Sequence, residues 1–271
     1  MADTRKIGLI GFGGIGRAFL DNLKHLDGAG RLVSILVRPQ YVDGLRAEYA
    51  GDTRFVSTLN EFVESNPTLV VECAGNAALN DYGAPLLRQG IDLVAASSGA
   101  LVDPALYETL TKAARAGQGR IMVPSGAIGA IDALSAMALA GLKTVTYRGI
   151  KPVAAWKGTA AEEHCDLDQL QTARVFFQGN ARQAAALFPK NANVAAIVGL
   201  AGLGLDSTQV ELVADPEALS NIHEIRAEAT TGSLELRMGG LASSSNARTS
   251  ALTVFSLLDA VRNNRTVVEI R

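Results

Sequence analysis

Lys6-Ile7-Gly8-Leu9-Ile10-Gly11-Phe12-Gly13-Gly14-Ile15-Gly16-Arg17 decides the fold. Its short apolar run reads as a buried strand, and Gly11-x-Gly13-x-x-Gly16 follows at once. Ala18, Phe19, Leu20 and Leu23 then continue at helical spacing. Glycines in that pattern between a strand and a helix form a dinucleotide-binding fingerprint. Gly11 makes the tight turn, Gly13 lets a pyrophosphate approach the backbone, and Gly16 lets helix and strand pack closely. Free N–H groups and the positive end of the helix dipole hold the phosphates. The expected cofactor contacts are therefore Gly11, Phe12, Gly13, Gly14, Ile15 and Gly16.

Outward from this stretch, strands and helices alternate. Strands are expected at Arg31 to Val37, Phe55-Val56, Leu69 to Cys73, Ile91 to Ala96 and Arg120 to Val123. Helices are expected from Thr58 through Glu64, up to about Arg88, and from Asp103-Pro104 to about Ala116. That order predicts a doubly wound parallel sheet, which binds ligands at the carboxyl ends of its strands. After about residue 140 the pattern changes. Thr144 to Ile150, Gln209 to Val213, Ile222 to Ala229 and Leu234 to Met238 read as strands, the last two joined by Thr230-Thr231-Gly232-Ser233. Helices near Ala181 to Phe188 and Val194 to Leu200 lie between them. The expectation is a smaller α+β domain over 127–243, with a Rossmann domain over 1–126 completed by a C-terminal helix within 244–271. That helix, read as Ala247 to Arg262, carries an apolar stripe of Leu252, Phe255, Leu258 and Val261.

Bulk properties narrow the function. The 271 residues carry 25 Lys and Arg against 27 Asp and Glu, a net charge of −2 that gives no basic surface for nucleic acid. No apolar run approaches the roughly 18–20 residues of a membrane span, and the N-terminus lacks a signal-peptide core. Cys73 and Cys165 are the only cysteines, which without a secretion signal points to a reduced cytoplasmic protein. No CxxC or His/Cys cluster suggests a metal site.

Several later segments resemble the L-aspartate dehydrogenase family. They are Val123-Pro124-Ser125-Gly126-Ala127-Ile128-Gly129, Val145-Thr146-Tyr147 with Lys151-Pro152 and Trp156, and Phe177-Gln178-Gly179-Asn180-Ala181-Arg182. Asn193-Val194-Ala195-Ala196, Leu200-Ala201-Gly202-Leu203-Gly204 and Asn221-Ile222-His223-Glu224 complete the set. They run in order across almost the whole chain. The resemblance implies a Rossmann domain plus a smaller catalytic domain, a homodimer, and oxidation of aspartate with NAD or NADP to iminoaspartate and then oxaloacetate and ammonia. It also implies His223 as the catalytic residue and Ala127 and Asn193 as cofactor contacts. Whether the imine feeds NAD synthesis or the reaction degrades aspartate stays open.

The residues themselves fit these roles to different degrees. Period-two alternation puts Asn221, His223, Ile225, Ala227 and Ala229 on one apolar strand face. A histidine there is either a core residue with a backbone partner or a base, which could deprotonate the substrate ammonium or activate water. His25 reads as a solvated residue of the first helix and His164 as a surface or loop residue. The amide of Asn193 can match a carboxamide, or cap the following helix. Ala127 can act only through its backbone. Lys151, Lys157, Arg148 and Arg248 are all candidates for binding a substrate carboxylate. At the end of the second strand Val37-Arg38-Pro39 stands where an acidic residue would select NAD, so Arg38 is expected to meet a 2′-phosphate and NADP to serve at least as well. Another two-domain reductase, resembling homoserine dehydrogenase or dihydrodipicolinate reductase, and a non-catalytic nucleotide sensor are the alternatives.

Overall fold

The computed structural model describes residues 5–26, 28, 30–49, 53–189, 191, 193–243 and 246–263. The chain falls into two compact units, one running through Pro124 and resuming at Val254, the other Ser125–Thr253.

In the first unit the strands are β1 (Lys6–Ile10), β2 (Arg31–Leu36), β3 (Arg54–Val56), β4 (Leu69–Glu72), β5 (Asp92–Ala95) and β6 (Ile121–Met122). They form one parallel sheet in the order β3-β2-β1-β4-β5-β6, the doubly wound arrangement. Helices α1 (Gly14–Leu23), α2 (Val42–Glu48), α3 (Leu59–Val63), α4 (Asn76–Arg88) and α5 (Pro104–Gly117) connect them. Alternate strand residues feed two cores. Ile7, Leu9 and Val71 pack with Phe19, Leu20 and Leu23 of α1, while Ile10, Val70 and Leu93 pack with Phe62, Leu79, Leu86 and Leu110. Local chemistry fixes the helix starts. Thr58 and Glu61 make a reciprocal capping box, and Asp103 accepts from the Ala105 N–H at 2.9 Å ahead of Pro104.

The second unit holds α6 (Ile131–Ala140), β7 (Leu142–Pro152), α7 (Val153–Trp156), α8 (Ala161–His164), β8 (Arg174–Asn180), α9 (Ala181–Leu187), α10 (Asn193–Ala201), β9 (Gln209–Asp215), β10 (Asn221–Ala229) and β11 (Gly232–Gly240). Its five strands form a mixed sheet in the order β11-β10-β7-β9-β8, in which only β7 and β9 run parallel. One row crosses all five strands: Gln178, Glu211, Arg148, Glu224 and Arg237 stand side by side. They pair in sequence, with Gln178 to Glu211 at 2.9 Å, Arg148 to Glu211 at 3.3 Å and to Glu224 at 3.8 Å, and Arg237 to Glu224.

Two expectations are corrected. The last helix, α11, is Leu252–Asn263, because Asn246–Ser250 forms strand β13, paired with β12 (Ala242–Ser243). Its buried stripe is Val254, Leu257, Leu258 and Val261, which pack into the core of the first unit, while Phe255 is half exposed. The expected stripe steps by three throughout and so winds to the opposite side of the helix, whereas Val254, Leu257, Leu258 and Val261 follow the i, i+3, i+4, i+7 spacing that keeps to one face. His25 lies exposed just past the end of α1 rather than within it.

Candidate active site

The glycine turn lines a cavity of about 660 Å³ at the carboxyl ends of β1, β2 and β4, together with Arg17, Arg38, Tyr41, Ala74 and Asp81. The three glycines differ in what holds them. Gly11 has φ +93°, and a Cβ there would come within 2.9 Å of Ala74. A Cβ on Gly16 would fall 2.5 Å from the Gly11 carbonyl oxygen. These two are required by the protein's own packing. A Cβ on Gly13, however, would meet nothing within 4 Å, so the space beside it is the kind a pyrophosphate needs. The Arg17 N–H donates to the Gly13 carbonyl at 3.0 Å, and the N–H groups of Gly14, Ile15 and Gly16 open the helix ahead of it. These residues fit a dinucleotide. Phe12 meets Tyr49 and Phe55 edge-on at 5.0 and 5.2 Å, so its ring belongs to the core and only its backbone faces the turn.

Arg38 stands exposed at the mouth of this cavity, its guanidinium 5.1 Å over the Tyr41 ring and donating to the Tyr41 hydroxyl at 3.3 Å. Arg17 is occupied differently. It pairs with Glu48 at 2.7 Å, donates to the Tyr49 hydroxyl at 2.7 Å and lies over the Phe12 ring. Tyr41 and Arg17 were not legible as site residues. Glu72 was not either. Fully buried at the end of β4, it accepts from the N–H groups of Ala74, Gly75 and Ser97 and from the Ser97 hydroxyl, at 2.7 to 3.2 Å. Burial pushes its carboxyl up, against the pull of those four bonds. One side chain thus ties together the turns that follow β4 and β5. Desolvation and then Glu72 push the Cys73 thiol up, so it stays protonated and unreactive.

In the second unit the alternation of β10 is as expected, with Asn221, His223, Ile225, Ala227 and Ala229 buried. His223 is buried, and its partner is a side chain. Its Nδ1 lies 2.8 Å from the hydroxyl of Tyr147, which is itself fully buried. His223 pairs across the ladder with Gly149 of β7, which makes this contact sterically open: a Cβ there would come 2.8 Å from the Tyr147 hydroxyl. Tyr147 therefore reaches the imidazole over a missing side chain. Desolvation, and next the charge of Lys151, lower the His223 pKa to about 3, and burial pushes the Tyr147 phenol up. Both groups are neutral at pH 7.

The turn holding Ala127 closes with the Ile128 N–H on the Ser125 carbonyl at 3.4 Å, and Gly126 adopts φ +69°. A Cβ on Gly126 would lie 3.7 Å from Ile197 of α10, the helix that Asn193 opens. One on Gly129 would lie 3.8 Å from Met238, the β11 partner of His223. Ala127, the Asn193 helix and the His223 strand are thus neighbours within one unit.

The fold also sorts the four candidate cations. Arg148 belongs to the charged row described above, Lys157 is exposed on Asp168, and the Arg248 side chain lies outside the described residues. Lys151, two residues along β7 from Gly149, is 4% exposed. His164 is exposed in α8. Among the described residues no group of His, Cys, Asp and Glu could hold a metal, and no helix is long and apolar enough to cross a membrane.

A doubly wound sheet with this glycine turn, followed by a mixed-sheet unit carrying a buried imidazole–phenol pair, fits a two-domain oxidoreductase that binds a dinucleotide. Residues 11–124 match the NAD-binding domain described for homoserine dehydrogenase, and residues 132–264 match the family described as aspartate dehydrogenase, C-terminal. The L-aspartate dehydrogenase of Pseudomonas aeruginosa is 45% identical over 97% of this chain and 98% of its own length. That of Ralstonia pickettii is 45% identical over 97% and 99%. The crystal structure of aspartate dehydrogenase from Thermotoga maritima superposes with a TM-score of 0.77 at 26% identity, covering 98% of this chain and 99% of that one. The chain belongs to the L-aspartate dehydrogenase family, and it is an oxidoreductase that uses NAD(P). A hyperthermophilic archaeal homoserine dehydrogenase in complex with NADPH shares the fold, with a TM-score of 0.60 at 16% identity.

Proposed function

We propose that this chain oxidises L-aspartate to iminoaspartate, which water converts to oxaloacetate and ammonia, and that His223 moves the protons in both directions of the reaction. The observation that carries this reading is the buried His223–Tyr147 pair, 2.8 Å apart. The dinucleotide, when bound, supplies the hydride acceptor. The amine must first lose its proton, and the water that attacks the imine must lose another. A neutral imidazole can take either. Desolvation and then the Lys151 charge hold its pKa low; the two carboxylates of a bound aspartate would favour the imidazolium and raise it. The Tyr147 hydroxyl can accept from an Nδ1–H, which leaves a lone pair on Nε2, or donate to a bare Nδ1, which leaves the N–H on Nε2, and its rotation suits either tautomer. Tyr147 therefore positions the ring and lets it accept and return a proton.

Within the same reading, the Asn193 amide pairs with a carboxamide, the Ala127 backbone borders the nicotinamide end, and Arg38 meets the 2′-phosphate. The test of the whole is His223→Ala. Loss of general acid–base catalysis is expected to lower kcat by at least about 10²-fold. NADPH affinity should barely change, because the phosphates rest on the Gly11–Gly16 turn. Near-wild-type kcat with a lowered Tm would mean a structural histidine. We also infer a homodimer, supported by β11 as an open sheet edge and by Leu219 and Leu241, 100% and 79% exposed at one end of the β10–β11 hairpin. Light scattering giving a monomer mass at micromolar concentration would refute it. Two free cysteines fit a reducing, cytoplasmic setting.

A further inference from the structure

Glu72 ends β4 with no exposed surface. A carboxylate placed there is costly unless donors surround it, and the donors it has collected divide between its two oxygens. Oε1 accepts from the Ala74 and Gly75 N–H groups at 2.7 and 2.8 Å and from the Ser97 hydroxyl at 3.0 Å. Oε2 accepts from the Ser97 N–H at 3.2 Å. Ala74 and Gly75 make the turn from β4 into α4, while Ser97 leads from β5 into the 3₁₀ turn Ser98–Val102. The carboxylate thus bridges the backbones of the two turns.

The sheet order gives these turns their place relative to a dinucleotide. Arg38 and Tyr41 follow β2 and the glycine turn follows β1, whereas Glu72 and Ser97 stand at the ends of β4 and β5, on the other side of β1. A doubly wound sheet binds a dinucleotide across the crevice between its two halves, one nucleotide over each. With Arg38 on the β2 side and the phosphates over Gly13, the β4–β5 half is left for the nicotinamide riboside. Ala74 joins the halves: it lines the cavity, and a Cβ on Gly11 would come 2.8 Å from its Cα.

We propose that Glu72 is a positioning residue for the nicotinamide half of the cofactor. It locks the β5 turn to the β4 turn, so that the nicotinamide riboside meets one rigid surface, while the adenosine half is held without it. Glutamine separates these roles. Its carbonyl oxygen can keep the three donors of Oε1, but its amide then sets an N–H against the Ser97 N–H. The β4 turn stays in place against Gly11, the backbone tie to the β5 turn is lost, and a buried donor is left unpaired. The inference goes beyond the proton chemistry of His223 and does not depend on which substrate gives the hydride.

The experiment compares whole cofactors with their adenosine halves by calorimetry: NADPH with adenosine 2′,5′-bisphosphate, and NADH with ADP. Glu72→Gln weakens binding of the whole cofactor about tenfold, the scale of one unpaired buried donor, and leaves the affinity of its adenosine half unchanged. It also lowers kcat by up to about 10²-fold, because a nicotinamide displaced by about 1 Å is badly placed for hydride transfer. Ser97→Ala, which removes the hydroxyl and keeps the N–H, weakens the whole cofactor about threefold and spares the adenosine half. A purely structural carboxylate would instead lower Tm and change both affinities alike, or neither.

Equal losses for a cofactor and its adenosine half, or unchanged cofactor affinity in a folded Glu72→Gln protein, would overturn the proposal. So would a wild type that binds neither adenosine half. If Glu72→Gln does not fold, Ser97→Ala decides, and unchanged affinity for the whole cofactor overturns the proposal there. A wild type that shows no preference for the phosphorylated pair would remove the role given to Arg38, and the NADH and ADP pair would still test Glu72. Inactivity on aspartate, with the affinities changing as stated, would sink the aspartate reading alone.

Discussion

His223 is the residue whose environment has the widest consequences. Its folded pKa of about 3 lies below the 6.5 of an unfolded histidine. Between those values the unfolded chain binds a proton that the folded chain does not, so stability falls as pH falls from 6.5 toward 3, by up to about 1.4 kcal/mol per pH unit for one group. His223→Phe should therefore lose stability less steeply than the wild type across that window. Denaturant midpoints at several pH values test this, and parallel curves would show that His223 is not neutral when buried. Arg38 makes a second prediction at this scale. Stacked on Tyr41 at the mouth of the cavity, it can pair with a 2′-phosphate and cannot serve a free 2′-hydroxyl as a carboxylate would. Arg38→Asp should shift the ratio of kcat/KM values toward NAD by about tenfold or more, a loss typical of a charge-assisted contact. An unchanged ratio would remove Arg38 from cofactor selection. The burial of His223 was legible from strand alternation. Its partner was not, because Tyr147 lies 76 residues away and only the β7–β10 register brings them together. The same limit left Lys151 equal to three other cations until the sheet assigned faces.

Among elements, the β1–turn–α1 unit separates folding from binding most clearly. Gly11 and Gly16 are required by internal packing, whereas Gly13 borders open space. Gly13→Ala should keep the wild-type Tm and lose most of its dinucleotide affinity. Gly11→Ala, strained by its positive φ and by Ala74, should lose several degrees of Tm. Equal effects of the two on Tm and on affinity would contradict this division. The parallel sheet could be read in advance because each βα unit is local and its strands are buried on both faces. Strand β8 was missed, although its Phe177–Asn180 stretch was noted as a family match, because Arg174, Gln178 and Gly179 break any clean alternation. Helix α6 was missed because its apolar residues, among them Ile131, Leu134, Met137 and Leu139, are spread around the helix, so no single stripe stands out against a polar face. The error at α11 came from extending a helical period back through Ala247 to Ser250, where polar residues pair as a strand instead.

For the molecule as a whole, the cofactor-binding unit is made of two separated pieces of chain. Val254, Leu257, Leu258 and Val261 share one core with Ile7, Leu9 and Phe19. Ending the chain at Ala251 would expose that core, and at about 25 cal/mol per Å² even two lost leucines are a large part of a domain's net stability. Such a truncated protein is expected to lose NADPH binding along with its Tm, although the removed helix carries none of the residues proposed to touch the cofactor. Retained NADPH affinity would show that α11 is dispensable.

The order of synthesis follows from the same arrangement. A ribosome releases the Gly11–Gly16 turn before Ser125–Thr253 and residues 254–261 after it, so the first unit is begun before the second and finished after it. The inserted Ser125–Thr253 segment can complete its sheet while the hydrophobic surface awaiting α11 is still uncovered. During translation the nascent chain would thus depend longer on chaperones at the interrupted unit than at the one inserted in it, and a stop codon just after Thr253 would harm the dinucleotide turn more than the inserted sheet.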